Sequence, residues 1–341
     1  MKRTWVKAAV ISLVGVVALA VAIILLNNND NAYYQQKRGT MTEGFGELKT
    51  VEWQGDTYRE KPAVTTILLV GIDKPEALEN VDTNEYRAGG QADFIMLIAI
   101  DKTDKKIHRL QIDRDTMTEI RILGTFGTDA GTRVDQICMS HSYGATPEEN
   151  AENTMWAVQN LMGDLEIDGY YMIDYGAMPT LNDALGGVPV KIQYDMTSVN
   201  PEWVKGKTVT LHGKEAEAFV RARMTVGSGT NEERMVRQAE FITNAITKMK
   251  QRVSNDLSFG EGLLTTLSSL ALTNFSRGRL VNELNESYGF EYLPIDHPEG
   301  TYVESSEGDA EGYMLGYMEF RMKENSIIEW MLDHLYTKKQ K

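Results

Sequence analysis

The stretch Val64-Thr65-Thr66-Ile67-Leu68-Leu69-Val70, closed by Gly71-Ile72-Asp73, decides the architecture. It is a continuous β-prone run, and two more follow over residues 94–100 and 107–112. Apolar runs that lack polar alternation predict strands covered on both faces. Working outward, Thr146-Pro147-Glu148-Glu149 combines an N-cap, a proline at the first helical position and a capping-box glutamate, and so opens a helix carrying Trp156, Leu161 and Met162. A strand over 170–173, a helix to Leu185, the stop Gly186-Gly187 and a strand over 188–192 come next. Residues 213–219 read as a short helix and 230–250 as a long one, with Thr230 and Glu233 as a second capping box. Helical patterns recur near 260–272 and 277–288, then an extended segment over 290–293 and a last helix around 325–336. Strand and helix alternate, which predicts an α/β sandwich with a central mixed sheet flanked by helices.

Ahead of these elements, residues 8–26 form an uncharged apolar run of about the ~20 residues that span a bilayer as a helix. Lys2, Arg3 and Lys7 precede it, so the positive-inside rule places residues 1–7 in the cytoplasm and the rest of the chain outside. A cleaved signal peptide is the rival reading, but the run exceeds the usual ~7–15 apolar residues and no A-x-A site stands directly before Asn27. Residues 27–61 are polar and mixed and read as an extracytoplasmic stalk, leaving 62–338 as the globular domain.

The 341 residues, 42% hydrophobic and 25% charged, allow one large domain or two modest ones. A net charge of −14 excludes nucleic-acid binding through broad positive charge, so a polyanionic ligand needs a local basic cluster. The single Cys138 excludes disulfide frameworks and multi-cysteine metal sites, and five scattered histidines lack ligand spacing. An oxygen-ligated metal stays open.

Two carboxylates mark strand ends. Asp73 follows the first run and Asp93 precedes the second, where ligands collect in open α/β sheets and where paired carboxylates suit Mg²⁺ bridging phosphate oxygens. Acidic residues beside strands are also ordinary turn formers. Arginine placement is the stronger signal. Arg221 and Arg223 are two apart in what reads as an extended stretch, 219–223, and so project the same way. Arg234, Arg237 and Gln238 share one face of the capped helix near its positive end. Arg114 stands between Asp113 and Asp115 after the third strand. Guanidinium groups gathered from separate elements of an acidic protein match the bidentate geometry of phosphate or pyrophosphate, although each alone is an ordinary surface charge.

In order, the blocks Ile67-Leu68-Leu69-Val70-Gly71-Ile72-Asp73, Ala92-Asp93-Phe94-Ile95-Met96-Leu97, Ile112-Asp113-Arg114-Asp115-Thr116, Ser140-His141-Ser142-Tyr143-Gly144, Asp183-Ala184-Leu185-Gly186-Gly187-Val188, Phe219-Val220-Arg221-Ala222-Arg223 and Arg234-Met235-Val236-Arg237-Gln238 resemble the LytR–CpsA–Psr (LCP) domain. The resemblance implies an LCP-like α/β sandwich behind one transmembrane helix. It implies an extracytoplasmic phosphotransferase that moves a polyprenyl-pyrophosphate-linked anionic glycan, such as teichoic acid or capsule, onto a peptidoglycan acceptor. By matching positions it implies Mg²⁺ on Asp73 and Asp93, and pyrophosphate on Arg114, Arg221, Arg223, Arg234, Arg237 and Gln238. Arg114, Asp115, Arg221 and Arg223 are the expected catalytic group, with Asp115 either a base or a partner orienting Arg114. The prenyl tail is expected in an apolar tunnel, for which Trp156, Leu161 and Met172 are candidate linings. The chain departs from the family pattern at Asp113, where proline is usual, at Gly90-Gln91, where an arginine is common and Arg87 is a substitute, and at Asn231, where aspartate is usual. A hydrolase using water on the same clamp and a non-catalytic lipid- or anion-binding envelope regulator are the alternative readings.

Overall fold

The computed structural model describes residues 48–74, 78–79, 81–82, 88–123, 129–255, 259, 270–287, 289–305 and 317–339. The expected 8–26 membrane segment and Arg87 lie outside them, and among the described residues no helix is long and apolar enough to cross a membrane.

A hairpin of β1 (Thr50–Trp53) and β2 (Asp56–Glu60) precedes the three apolar runs, which form β3 (Val64–Ile72), β4 (Ala92–Asp101) and β5 (Lys106–Ile112). A two-stranded ribbon, β6 (Met117–Leu123) with β7 (Asp129–Gln136), leads through a 3₁₀ turn at Ile137–His141 into α1 (Pro147–Leu161). Next come β8 (Gly169–Asp174), α2 (Ala177–Ala184), β9 (Val188–Lys191), β10 (Thr208–Leu211), α3 (Glu215–Arg221) and α4 (Asn231–Asn255). The chain continues with β11 (Ala271–Thr273), α5 (Arg277–Ser287), β12 (Glu291–Asp296), the hairpin β13 (Gly300–Glu304) with β14 (Met318–Met322), α6 (Ser326–Leu335) and β15 (Tyr336–Lys338).

The central sheet runs β11-β8-β3-β4-β5-β12 and is mixed: β4 lies antiparallel to both β3 and β5, while β8 lies parallel to β3 and β12 parallel to β5. All ten residues of β4 are buried, as a central strand without polar alternation requires. Its side chains alternate between two cores. Ile67, Leu69, Phe94 and Met96 face α2, α3 and α4, whereas Leu68, Val70, Ile95 and Leu97 face α1 and α6. Both capping threonines act as expected: Thr146 Oγ1 accepts the Glu149 N–H at 3.2 Å, and Thr230 Oγ1 accepts the Glu233 N–H at 3.4 Å.

Four expectations change. Residues 50–60, read as stalk, form the β1–β2 hairpin, and β15 pairs with β2, so this segment is tied to the globular domain. Of 260–272, read as helical, the described residues are 270–272, and residues 271 and 272 begin strand β11 against β8. The 219–223 stretch is not extended. Arg221 closes α3 and Ala222 caps it. Met172, Trp156 and Leu161 belong to the core under α1 and α6.

Candidate functional site

At one edge of the sheet the C-terminal ends of β3, β5 and β8 meet the N-terminal end of β4. Asp73 stands just past β3. Its N–H donates to the Gln91 carbonyl at 3.0 Å, and its Oδ1 accepts the Gln91 N–H at 2.6 Å. This closure needs Gly90. Its φ is +74°, and a Cβ there would lie 2.9 Å from Asp73 Oδ1 and 2.7 Å from Lys74 Cβ. The loop is pinned from behind: the Gly89 carbonyl accepts from His141 Nδ1 at 2.8 Å and the Gly90 carbonyl from Ser142 Oγ at 2.7 Å. Burial lowers the His141 pKa to about 4, so its imidazole is neutral with the hydrogen on Nδ1. The Ser140–Gly144 block thus shapes the site from beneath it.

The arginines converge on Asp93 and Asp115. Arg114 Nη1 donates to Asp93 Oδ1, its Nη2 reaches Gln91 Oε1 at 2.5 Å and Cys138 Sγ at 3.0 Å, and its Nε reaches Asp115 Oδ1 at 3.2 Å. Arg234 Nη1 donates to Asp93 Oδ2 at 3.0 Å from the first turns of α4. Arg223 Nη2 donates to Asp115 Oδ2 at 3.2 Å, and its Nε to the Gly229 carbonyl. Gln136 Nε2 adds a bond to Asp115 Oδ1 at 3.0 Å. Both Asp115 oxygens are therefore engaged.

Arg234 is 3% exposed, and its Nε and Nη2 have no hydrogen-bond partner among the described residues. Burial depresses its pKa, and the like charge of Arg114 adds to this. Burial opposes the charge of Arg114 too, but surrounding acidic groups, Asp115 and Asp73 among them, outweigh it and raise its pKa. Burial pushes the Cys138 thiol up to about 12, so it is a protonated packing group under Arg114. Asp113 is also buried, and burial followed by the Asp115 charge raises its carboxyl. It accepts hydrogen bonds from the Tyr302 hydroxyl and, at 2.8 Å, from the Asp115 N–H.

The other expected residues separate. Arg221 points away from Arg223: it pairs with Glu217 at 2.7 Å and covers the Tyr175 ring at 5.2 Å. Arg237 is 1% exposed, and its guanidinium donates to the carbonyls of Phe219, Ala222 and Glu233, tying the end of α3 to α4. Gln238 bridges inward, accepting from Gln111 at 3.3 Å and donating to the Tyr175 hydroxyl at 3.4 Å.

Beside this cluster an apolar cavity opens between the sheet and α2, α3 and α4. Leu69, Phe94, Ile173, Met178, Phe241 and Ile242 are among its walls, with Tyr175 and Gln238 on the side of the arginines. It lies on the opposite face of the sheet from Trp156, Leu161 and Met172, which face the other core. Tyr175, Gln136 and Tyr302 belong to none of the sequence motifs yet stand at the site. Tyr175 was within reach of the strand-end rule, because it follows β8 at the same sheet edge as Asp73. Its N–H bonds the Ile72 carbonyl at 3.0 Å.

The chain is similar to the polyisoprenyl-teichoic acid–peptidoglycan teichoic acid transferase TagU of Halalkalibacterium halodurans, 31% identical over 46% of this chain and 44% of that protein. The TagU of Bacillus licheniformis is 25% identical over 71% of each chain. Biofilm regulatory protein A of Streptococcus mutans is 24% identical over 67% of this chain and 54% of that one. Less than half of the first relative's length is thus spanned. Among solved structures, TagT bound to LIIa-WTA superposes with a TM-score of 0.56 at 21% identity over 80% of this chain and 89% of that one. Protein gbs0355 of Streptococcus agalactiae gives 0.59 at 20% identity over 82% and 91%. These likenesses carry the fold, a mixed α/β arrangement about a central sheet. The family match itself runs over residues 26–295, taking in every block quoted from the sequence, and the chain belongs to the LytR_cpsA_psr family.

Proposed function

We propose that this protein is an extracytoplasmic phosphotransferase, anchored by residues 8–26, that moves a polyprenyl-pyrophosphate-linked anionic glycan onto peptidoglycan. The observation that carries the reading is Arg234. A buried guanidinium with two unmade hydrogen bonds is costly unless an anion completes it, and it stands one helical turn from Gln238 on the wall of an apolar cavity. Anion donors beside an apolar cavity fit a ligand with a phosphate head and a hydrocarbon tail. The names of the TagU relatives support the glycan and the acceptor.

The donor set also fits Mg²⁺. Asp73 and Asp93 offer hard carboxylate oxygens at adjoining strand ends, each Asp93 oxygen keeping a second lone pair beyond its bond to Arg114 or Arg234, and among the described residues no group of three or more His, Cys, Asp or Glu gathers around a metal position. Two carboxylates leave the remaining positions to water and phosphate oxygens, which is how Mg²⁺ is commonly held at phosphate sites. When bound there, the ion supplies Lewis-acid neutralisation of non-bridging phosphate oxygens.

Phosphoryl transfer asks the protein mainly for positioning and charge neutralisation. Arg114, Arg223 and Arg234 provide both, Arg234 through its unpartnered Nε and Nη2, and Arg114 and Arg223 from the positions at which Asp115 holds them. With both oxygens in ion pairs, Asp115 acts as the residue that orients Arg114 and Arg223. The cavity takes the prenyl chain at about 0.8 kcal/mol per buried methylene.

The test uses the detergent-purified full chain with Mg²⁺, a labelled polyprenyl-pyrophosphate glycan and peptidoglycan. Label on peptidoglycan together with released polyprenyl phosphate is expected. Release without labelled peptidoglycan assigns a hydrolase, and neither product leaves a binding protein.

A further inference from the structure

Tyr175 sits where the apolar cavity meets the arginine cluster. It is 4% exposed, it lines the cavity, and its backbone is fixed to Ile72, the residue before Asp73. Its ring is held under the Arg221 guanidinium at 5.2 Å. Its hydroxyl accepts one hydrogen bond, from Gln238 Nε2 at 3.4 Å, and among the described residues nothing accepts the phenolic hydrogen. Burial raises the phenol's pKa, so that hydrogen is present at neutral pH. Arg234, Arg221 and Arg114 act on the hydroxyl electrostatically and outweigh the opposing charge of Asp73, which places it beside the cationic cluster that gathers an anion.

A buried hydroxyl normally spends its donor. Here the donor lies at the boundary between a hydrocarbon compartment and a phosphate compartment. We propose that Tyr175 is a substrate-binding residue whose hydroxyl donates to the phosphate directly attached to the prenyl chain, and so sets how far the tail enters the cavity. The inference rests on the lipid-pyrophosphate reading above and adds a residue with a different selectivity from the arginines. A clamp arginine that holds the outer phosphate distinguishes pyrophosphate from monophosphate. A donor to the tail-proximal phosphate does not, since both lipids carry that group.

The experiment measures binding of geranylgeranyl pyrophosphate and geranylgeranyl monophosphate to the full chain in detergent with Mg²⁺, for wild type and Tyr175→Phe. Phenylalanine keeps the ring, the cavity wall and the contact with Arg221, and removes only the hydroxyl. Loss of a hydrogen bond to a charged group predicts Kd rising roughly tenfold or more for both lipids by the same factor. In turnover with the polyprenyl substrate, kcat falls as well as KM rising, because the tail-proximal phosphate leaves as polyprenyl phosphate and gains charge in the transition state. Unchanged affinity for both lipids, or a loss confined to the pyrophosphate, overturns the role of Tyr175 while leaving the lipid-phosphate reading in place. Failure of wild type to bind either lipid more tightly than geranylgeraniol overturns that reading itself, and the role of Tyr175 with it.

Discussion

Asp93 is shared by two arginines: Oδ2 accepts from Arg234 at 3.0 Å and Oδ1 from Arg114, and all three side chains are largely withdrawn from water. The carboxylate is the counter-charge that lets two guanidiniums stand together at the end of β4. Removing it leaves Arg114 with Asp115 and strands Arg234 in a low-dielectric site, where an unpaired buried charge is far costlier than the pair was favourable.

Asp93→Asn is therefore expected to destabilise the fold by about 3–5 kcal/mol, measured by denaturant unfolding without divalent cations. Inorganic pyrophosphate should recover part of this, because the anion replaces the missing charge, and its stabilising effect should exceed that on wild type. A variant as stable as wild type, or one that pyrophosphate leaves unmoved, removes Asp93 as the counter-ion of the clamp.

Asp73→Asn separates structure from metal binding at the neighbouring strand end. The amide oxygen can still accept the Gln91 N–H that Asp73 Oδ1 takes at 2.6 Å, so the thermal midpoint should stay close to that of wild type. The negative charge that a hard cation needs is gone. The Mg²⁺ concentration for half-maximal transfer should rise at least tenfold, read by titrating the ion into chelator-treated protein. An unchanged Mg²⁺ response takes Asp73 out of the metal site.

His141 couples the loop behind Asp73 to pH. Burial holds its folded pKa near 4 against about 6.5 when unfolded, so the unfolded chain binds the proton first. Its contribution is constant above pH 6.5 and is lost as pH falls from 6.5 toward 4. At pH 5 the loss is about 2 kcal/mol, and His108, also lowered to about 4 chiefly by burial, acts in the same direction. His141→Gln retains a donor for the Gly89 carbonyl and takes up no proton, so its unfolding free energy should fall less steeply over that interval. Equal slopes for the two proteins contradict the assignment.

The core strands were legible because three long runs lack polar alternation, and only strands buried on both faces tolerate that composition. The site was legible in its residue types but not in its pairing. Asp93 and Arg234 are 141 residues apart, and no local pattern joins them. Arg237 looks like a partner of Arg234 on the same helix face, yet its donors go to backbone carbonyls at the end of α3, a geometry fixed by how two helices cross. The β6–β7 ribbon and the β13–β14 hairpin give no apolar run because polar residues interrupt them and each buries little more than one large apolar side chain, Ile120 in the first and Phe320 in the second. The second of these still reaches the site: Tyr302 bonds Asp113, and the Phe320 N–H donates to the Asp115 carbonyl at 2.7 Å.

Arg221 and Arg223 give the sharpest contrast between spacing and structure. As an extended pair they should contribute alike. In the folded chain Arg221 ends α3 with its side chain 43% exposed, paired with Glu217 one turn back, an arrangement worth about 0.3–0.5 kcal/mol. Arg223 lies past the cap and grips Asp115, which is 2% exposed, while also holding the Gly229 carbonyl of the turn before α4. Arg223→Ala leaves that carboxylate short of a partner and releases the turn, so it should cost about 1–2 kcal/mol of stability after allowance for the partial exposure of the arginine. Transfer should fall at least tenfold, because Asp115 also orients Arg114 through Nε. Arg221→Ala should change stability by no more than about 0.5 kcal/mol and reduce transfer less than Arg223→Ala does, with its effect concentrated in KM through the Tyr175 ring. Parallel unfolding curves and initial rates for the two variants decide the matter: equal losses restore the extended pair, and a larger loss for Arg221 reverses the roles assigned to them.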